Sequence, residues 1–149
     1  MFTLKRTDSG DKDFQDLIVL LDADLLERYG DQQAFFTPFN KTNTIKNVVV
    51  AYSDEQPIGC GAFRVDGDTV EIKRMYVSPT IRGKGLGHRI LSELETWARE
   101  TGHKEAILET GKNQPEAIRL YQKAGYGIIP NYEPYQNSEL SICMKKLLG

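Results

Sequence analysis

The sequence predicts an α/β fold built on a mixed sheet, and three observations carry that reading. Strand and helix patterns follow one another in the order βααβββαβαββ. Between residues 48 and 77, three strand patterns are separated only by short turn signals, which implies three successive antiparallel strands. From residue 70 onward, a β-branched strand runs through a proline-marked turn and a glycine-rich loop into a long amphipathic helix.

Residues 2–6 read as a short first strand. Residues 11–29 place Phe14, Leu17, Ile18, Leu21, Leu25 and Leu26 at the spacing of one helical face, with Gly30 as the stop. Residues 31–44 lose that period and mix aromatics with proline and asparagine, giving a second short helix or a loop. Strands follow at 48–52, 58–65 and 69–77, with Asp66-Gly67-Asp68 as a hairpin turn. Residues 85–101 form a helix that turns Leu86, Ile90, Leu91, Leu94, Trp97 and Ala98 inward, closed by Gly102. Residues 106–109 make a buried strand, 115–124 a helix with proline in its first turn, and 126–129 and 139–145 the last two strands.

The chain has 149 residues, enough for one domain over 1–149 that buries roughly two-thirds of its unfolded surface. Its 40% hydrophobic and 27% charged residues and net charge of −2 give no basic excess for nucleic acid. Neither a signal peptide's apolar run nor the ~18 apolar residues of a membrane span is present. A cytoplasmic monomer or homodimer is expected. Cys60, Cys143, His88 and His103 lack metal-ligand spacing, so no metal and reduced thiols are expected.

Arg82-Gly83-Lys84-Gly85-Leu86-Gly87, with His88 in the first helical turn, has the chemistry of an anion cradle. Glycines let a ligand approach the backbone, free amides point into the loop, the helix N-terminus adds about half a positive charge, and two basic side chains add more. A phosphorylated cofactor suits it. The dinucleotide fingerprint fails because His88 stands where a third glycine is needed, and no Gly-Lys-Ser/Thr closes a P-loop. The pattern that fits is Gln or Arg, two residues, Gly, one residue, then Gly or Ala, met by Arg82, Gly85 and Gly87. A second segment, QPEAIRLYQKAGY, carries Ala117, Leu120, Tyr121, Gly125 and Tyr126.

With these two motifs, the chain resembles the GNAT superfamily, the acetyl-CoA-dependent N-acetyltransferases, most specifically over 70–126. That resemblance implies a mixed, mostly antiparallel twisted sheet of about seven strands flanked by about four helices. It also implies acetyl-CoA as co-substrate and an amine-bearing acceptor, either a small molecule or a protein amine. The amides of residues 82–88 would hold the pyrophosphate. Met75, Tyr76 and Val77 would offer main-chain groups to the pantetheine arm where the strand splays, often at a β-bulge. Gln114 stands where the family commonly has an asparagine that bonds cofactor amides, and Asn113 is one residue early.

Acetyl transfer to an amine of pKa near 10.4 requires a base, and the departing thiolate requires a proton. Strand alternation puts Glu71, Lys73 and Met75 on one face and Ile72, Arg74 and Tyr76 on the other. In the histone-acetylating branch, a catalytic glutamate stands eleven residues before the Arg/Gln motif, as Glu71 does before Arg82, which makes Glu71 the expected base, acting directly or through water. A strand glutamate also serves as the cross-strand partner of a lysine. The resemblance makes Tyr121 the acid; the helical period makes it a core residue as well. For the acceptor, position along the fold points to Tyr29, Phe35, Phe36 and Asn40, and to Asn131, Tyr132, Glu133 and Tyr135 in the penultimate loop. The alternative is a non-catalytic acyl-CoA-binding or regulatory module of the same fold.

Overall fold

The computed structural model describes residues 2–32 and 45–149. Its strands are β1 (Phe2–Thr7), β2 (Asn47–Ser53), β3 (Gln56–Asp66), β4 (Thr69–Val77), β5 (Glu105–Gly111), β6 (Gly127–Ile129) and β7 (Ser141–Leu147). The helices are α1 (Lys12–Tyr29), α2 (Leu86–Glu100) and α3 (Pro115–Lys123). Short 3-10 turns occupy Gly30–Gln32 and Pro79–Ile81. The second helix or loop expected over 31–44 falls largely outside the described residues.

One seven-stranded sheet runs β1-β2-β3-β4-β5-β7-β6. Every neighbouring pair is antiparallel except β4 and β5, which α2 joins as a crossover. Helix α1 starts where expected: the Asp11 carboxylate accepts from Asp13 N at 2.9 Å and Phe14 N at 3.2 Å, and Lys5 balances its charge at 2.7 Å. The helix ends at Gly30, whose φ of 54° suits glycine. Phe14, Leu17, Leu21, Leu25 and Tyr29 cover one sheet face over Val48, Val50, Cys60, Ala62 and Tyr76. On the opposite face, Leu86, Ile90, Leu91, Leu94 and Ala98 of α2 join Tyr121 of α3 over Val49, Phe63, Val70, Ile72, Ala106 and Leu108.

Two departures from regularity shape the middle of the sheet. Cys60 pairs with Tyr76 and Ala62 with Lys73, so Gly61 alone faces Arg74 and Met75. This is a β-bulge, and Arg74 takes a left-handed φ of 58°. The bulge corrects the expected alternation. Glu71 and Lys73 stay on the α1 face, where Arg74 and Tyr76 join them, while Met75 and Val77 pack on the α2 face beside Ile72. Gly61 makes room for this: a Cβ there would lie 2.5 Å from Met75 Sδ.

The second departure is the pairing of β4 with β5, which covers only Thr69–Ile72 against Glu105–Leu108. β4 continues to Val77 and β5 to Gly111, so the two strands part beyond Ile72 and Leu108. Backbone edges are thereby left open inside the protein.

Candidate active site

A cleft of about 330 Å³ begins at that parting. It extends from Tyr135 and Glu109 past Tyr121 to the loop before α2, with α1 as one wall. At its far end Gly83 and Gly85 have φ of 86° and 79°, and a Cβ on either would meet nothing within 4 Å. The backbone conformation requires glycine there and the space above it is open. The first bond into α2 is Arg89 N to Gly85 O at 3.2 Å, so the preceding amides of the turn have no intrahelical partner. Arg82 donates to Val77 O at 3.1 Å, which ties the loop back to β4. Lys84 and His88 are exposed, whereas Leu86 is buried in the core. A Cβ on Gly87 would lie 3.1 Å from Leu120 Cδ2, so this glycine lets α3 approach α2. Open space, free amides and a basic rim fit a pyrophosphate group.

Met75, Tyr76 and Val77 contribute their open main-chain edge; their side chains belong to the two cores. Gln114 lines the cleft, with its carboxamide oxygen accepting from Tyr29 Oη and Gly111 N, both at 3.2 Å. A Cβ on Gly111 would overlap the Tyr29 hydroxyl. Burial pushes the Tyr29 phenol up to about 12, so it is a neutral donor to Gln114 at the cleft wall.

Tyr121 is buried, edge-on to Tyr126 at 5.9 Å, and lines the cleft. Its hydroxyl makes no hydrogen bond among the described residues. Burial, with Glu109 nearby, holds the phenol well above its usual range. It is therefore protonated at neutral pH.

Glu71 projects onto the α1 face, where Tyr132 Oη donates to its Oε2 at 2.8 Å and Lys73 Nζ lies 4.0 Å from Oε1. One strand over stands Glu109, which the sequence reading missed. Burial raises its carboxyl to about 7, opposed by a hydrogen bond with Ser141 and reinforced by the charge of Glu71. The available signal was a glutamate directly after the apolar run Ala106-Ile107-Leu108. Such a residue needs a reason to be drawn away from solvent.

The penultimate loop divides between wall and scaffold. Tyr135 lines the cleft and meets Tyr132 edge-on at 5.7 Å. Asn131 does not face the cleft, contrary to expectation: its Nδ2 lies 3.2 Å from the carbonyls of Tyr135, Ser138 and Ser141 and fastens the loop to itself. Phe35, Phe36 and Asn40 lie outside the described residues. Cys60 and Cys143 are free buried thiols, and burial pushes both thiol pKa values up. No described helix is long and apolar enough to cross a membrane.

Comparisons with known proteins agree with this geometry. The model of the acetyltransferase (GNAT) family matches residues 14–126. An IAA acetyltransferase of Azospirillum brasilense is 40% identical over 102 residues, 67% of each chain. The uncharacterized N-acetyltransferase YjgM of Escherichia coli is 40% identical over 81 residues, 52% of this chain and 48% of that protein, so this match spans about half of that relative's length. Among solved structures, a candidate acyl-CoA N-acyltransferase from Klebsiella pneumoniae superposes with a TM-score of 0.83 at 32% identity, covering 100% of this chain and 99% of that one. A PaiA N-acetyltransferase from Thermoplasma acidophilum, solved with coenzyme A, shares the fold with a TM-score of 0.70 at 16% identity and 99% coverage of both chains as aligned.

Proposed function

The chain belongs to the GNAT family of acetyltransferases, and from that premise we propose that it transfers the acetyl group of acetyl-CoA to a primary amine by direct attack in a ternary complex. The observation that carries this reading is the parting of β4 from β5. It opens a backbone-lined channel between the glycine turn at one end and a pair of glutamates at the other. The turn of residues 82–88 holds the pyrophosphate, and the open edge of Met75–Val77 bonds the pantetheine arm and polarises the thioester carbonyl.

Glu109 takes the proton of the attacking ammonium. A carboxyl with a pKa of about 7 is half-ionised at neutral pH and strong enough as a base to accept that proton. Glu71 is the second carboxylate of the pair: it orients the amine from its hydrogen bond with Tyr132, and its charge keeps Glu109 basic. Tyr121 gives its proton to the departing thiolate. Holding thioester and amine together supplies much of the acceleration.

The test couples two measurements. Coenzyme A should protect the chain against heat where ATP and NAD do not. Thiol release from acetyl-CoA should then respond to one member of a panel of polyamines, amino acids and peptide amines, and a response to IAA alone, the compound in one relative's name, would overturn the primary-amine reading. Protection without thiol release for any acceptor would instead favour an acyl-CoA-binding module.

A further inference from the structure

Lys73 is a nucleophile that the proposed transfer leaves unused, and it stands where the thioester must arrive. Among the described residues lining the cleft it is the one lysine. It follows Ile72, the last residue of β4 paired with β5, and precedes the bulge at Arg74, so its Cα marks the point where the channel opens. Its side chain is 7% exposed and reaches to 4.0 Å from Glu71 Oε1, on the face that also carries Glu109. Burial and the charges of Arg64 and Arg74 favour its neutral amine, against the pull of Glu71 and Glu109.

We propose that Lys73 is a self-acetylation site, taking the acetyl group from acetyl-CoA in the same cleft when no acceptor is present. The proposal rests on the acetyl-CoA reading above. The Lys73 ammonium gives one proton to Glu109, and the neutral Nζ attacks the thioester carbonyl. A C–N bond forms, the C–S bond breaks, and the thiolate takes the proton of Tyr121. The tetrahedral centre's second N–H proton returns through the cleft to the tyrosinate, leaving an acetamide and coenzyme A thiol. The acetylated side chain has no positive charge to lower the Glu109 carboxyl, so the modified protein needs a higher pH to ionise that base.

The experiment incubates the full chain with acetyl-CoA and no amine, maps acetylated peptides by mass spectrometry, and measures thermal protection by coenzyme A in parallel. One acetyl group is expected on the peptide containing Lys73, gained at least about tenfold faster than at exposed lysines through proximity. Lys73→Arg should abolish it and Tyr121→Phe should slow it. In the modified protein, the pH profile of transfer should move upward. Protection without any acetyl gain overturns the proposal and leaves the acetyl-CoA reading standing. So does a gain spread over exposed Lys12, Lys84 and Lys112 at the rate of the urea-unfolded chain. Absence of protection overturns the acetyl-CoA reading and this proposal with it. The wild-type map and the unfolded control decide the matter even where Lys73→Arg folds poorly.

Discussion

Strands β4 and β5 each have two halves that obey different rules. Over Thr69–Ile72 and Glu105–Leu108 the backbones bond one another, and Val70, Ile72, Ala106 and Leu108 are almost wholly buried among α2 side chains. Beyond those residues the same strands carry Lys73, Glu109 and the left-handed Arg74, whose buried Nε has no hydrogen-bond partner among the described residues. Unpaired backbone and buried charge each cost free energy. The closed half, packed and fully bonded, holds the open half in place. Paired, packed backbone and open backbone are therefore separated by one residue step along each strand.

The largest effect that would sharpen this contrast is at Glu109. Glu109→Gln should lower turnover by about 10²- to 10⁴-fold and remove an inflection near pH 7 from the rate profile. Its stability effect has the opposite sign. The folded-state carboxyl is raised from 4.5 to about 7, so native protein binds a proton more tightly than unfolded chain in that window. Wild-type stability should therefore fall as pH rises from about 4.5 to 7, and the glutamine variant should escape that loss, on the order of 3 kcal/mol. Chemical denaturation at pH 5 and pH 8 measures both chains. A variant destabilised equally at both would make Glu109 a structural residue.

Its neighbour should behave in reverse. Leu108→Ala removes a side chain that is 1% exposed and should cost about 2–5 kcal/mol, with the turnover of the remaining folded protein little changed. Strong loss of turnover per folded molecule would erase the division between the halves. Glu71 lies in the paired half of β4 but turns its side chain to the α1 face beside Glu109; Glu71→Gln should reduce turnover by about 10²-fold at pH 7 and move the inflection near pH 7 downward, because its charge no longer raises the Glu109 carboxyl. An unchanged rate at pH 7 would remove Glu71 from the mechanism. The smallest effect belongs to Tyr121→Phe, which keeps the ring against Tyr126 and should reduce turnover by about 10- to 10²-fold with stability nearly unchanged. Its deficit should shrink with an acyl donor whose thiol is more acidic; a constant deficit would assign the tyrosine to packing.

Sequence reading found what depends on period and local conformation. Helix α1 appeared from apolar spacing and the glycine stop at Gly30, and the glycine turn from conformations that other residues resist. Chemistry that depends on desolvation was hidden. Glu109 gains its character from burial beside Glu71 and Ser141, groups far apart in the chain, so only its apolar neighbours hinted at it. The bonds of Asn131 to its own loop were hidden too, because an amide in a loop has the same composition whether it binds a ligand or its own backbone. Met75, Arg74 and Tyr76 were assigned to the wrong faces because alternation was counted through a residue that does not take part in it.

That residue is supernumerary. Without Arg74 the strand reads Thr69-Val70-Glu71-Ile72-Lys73-Met75-Tyr76-Val77, a strict alternation in which Val70, Ile72, Met75 and Val77 take one side and Glu71, Lys73 and Tyr76 the other. The bulge is thus punctuation in the strand, not spelling. Deleting or inserting it changes how the chain bends at the mouth of the channel and shifts the ladder by one rung, yet no other side chain changes sides. A lineage carrying this sheet could acquire or lose the bend in one step without rewriting either core.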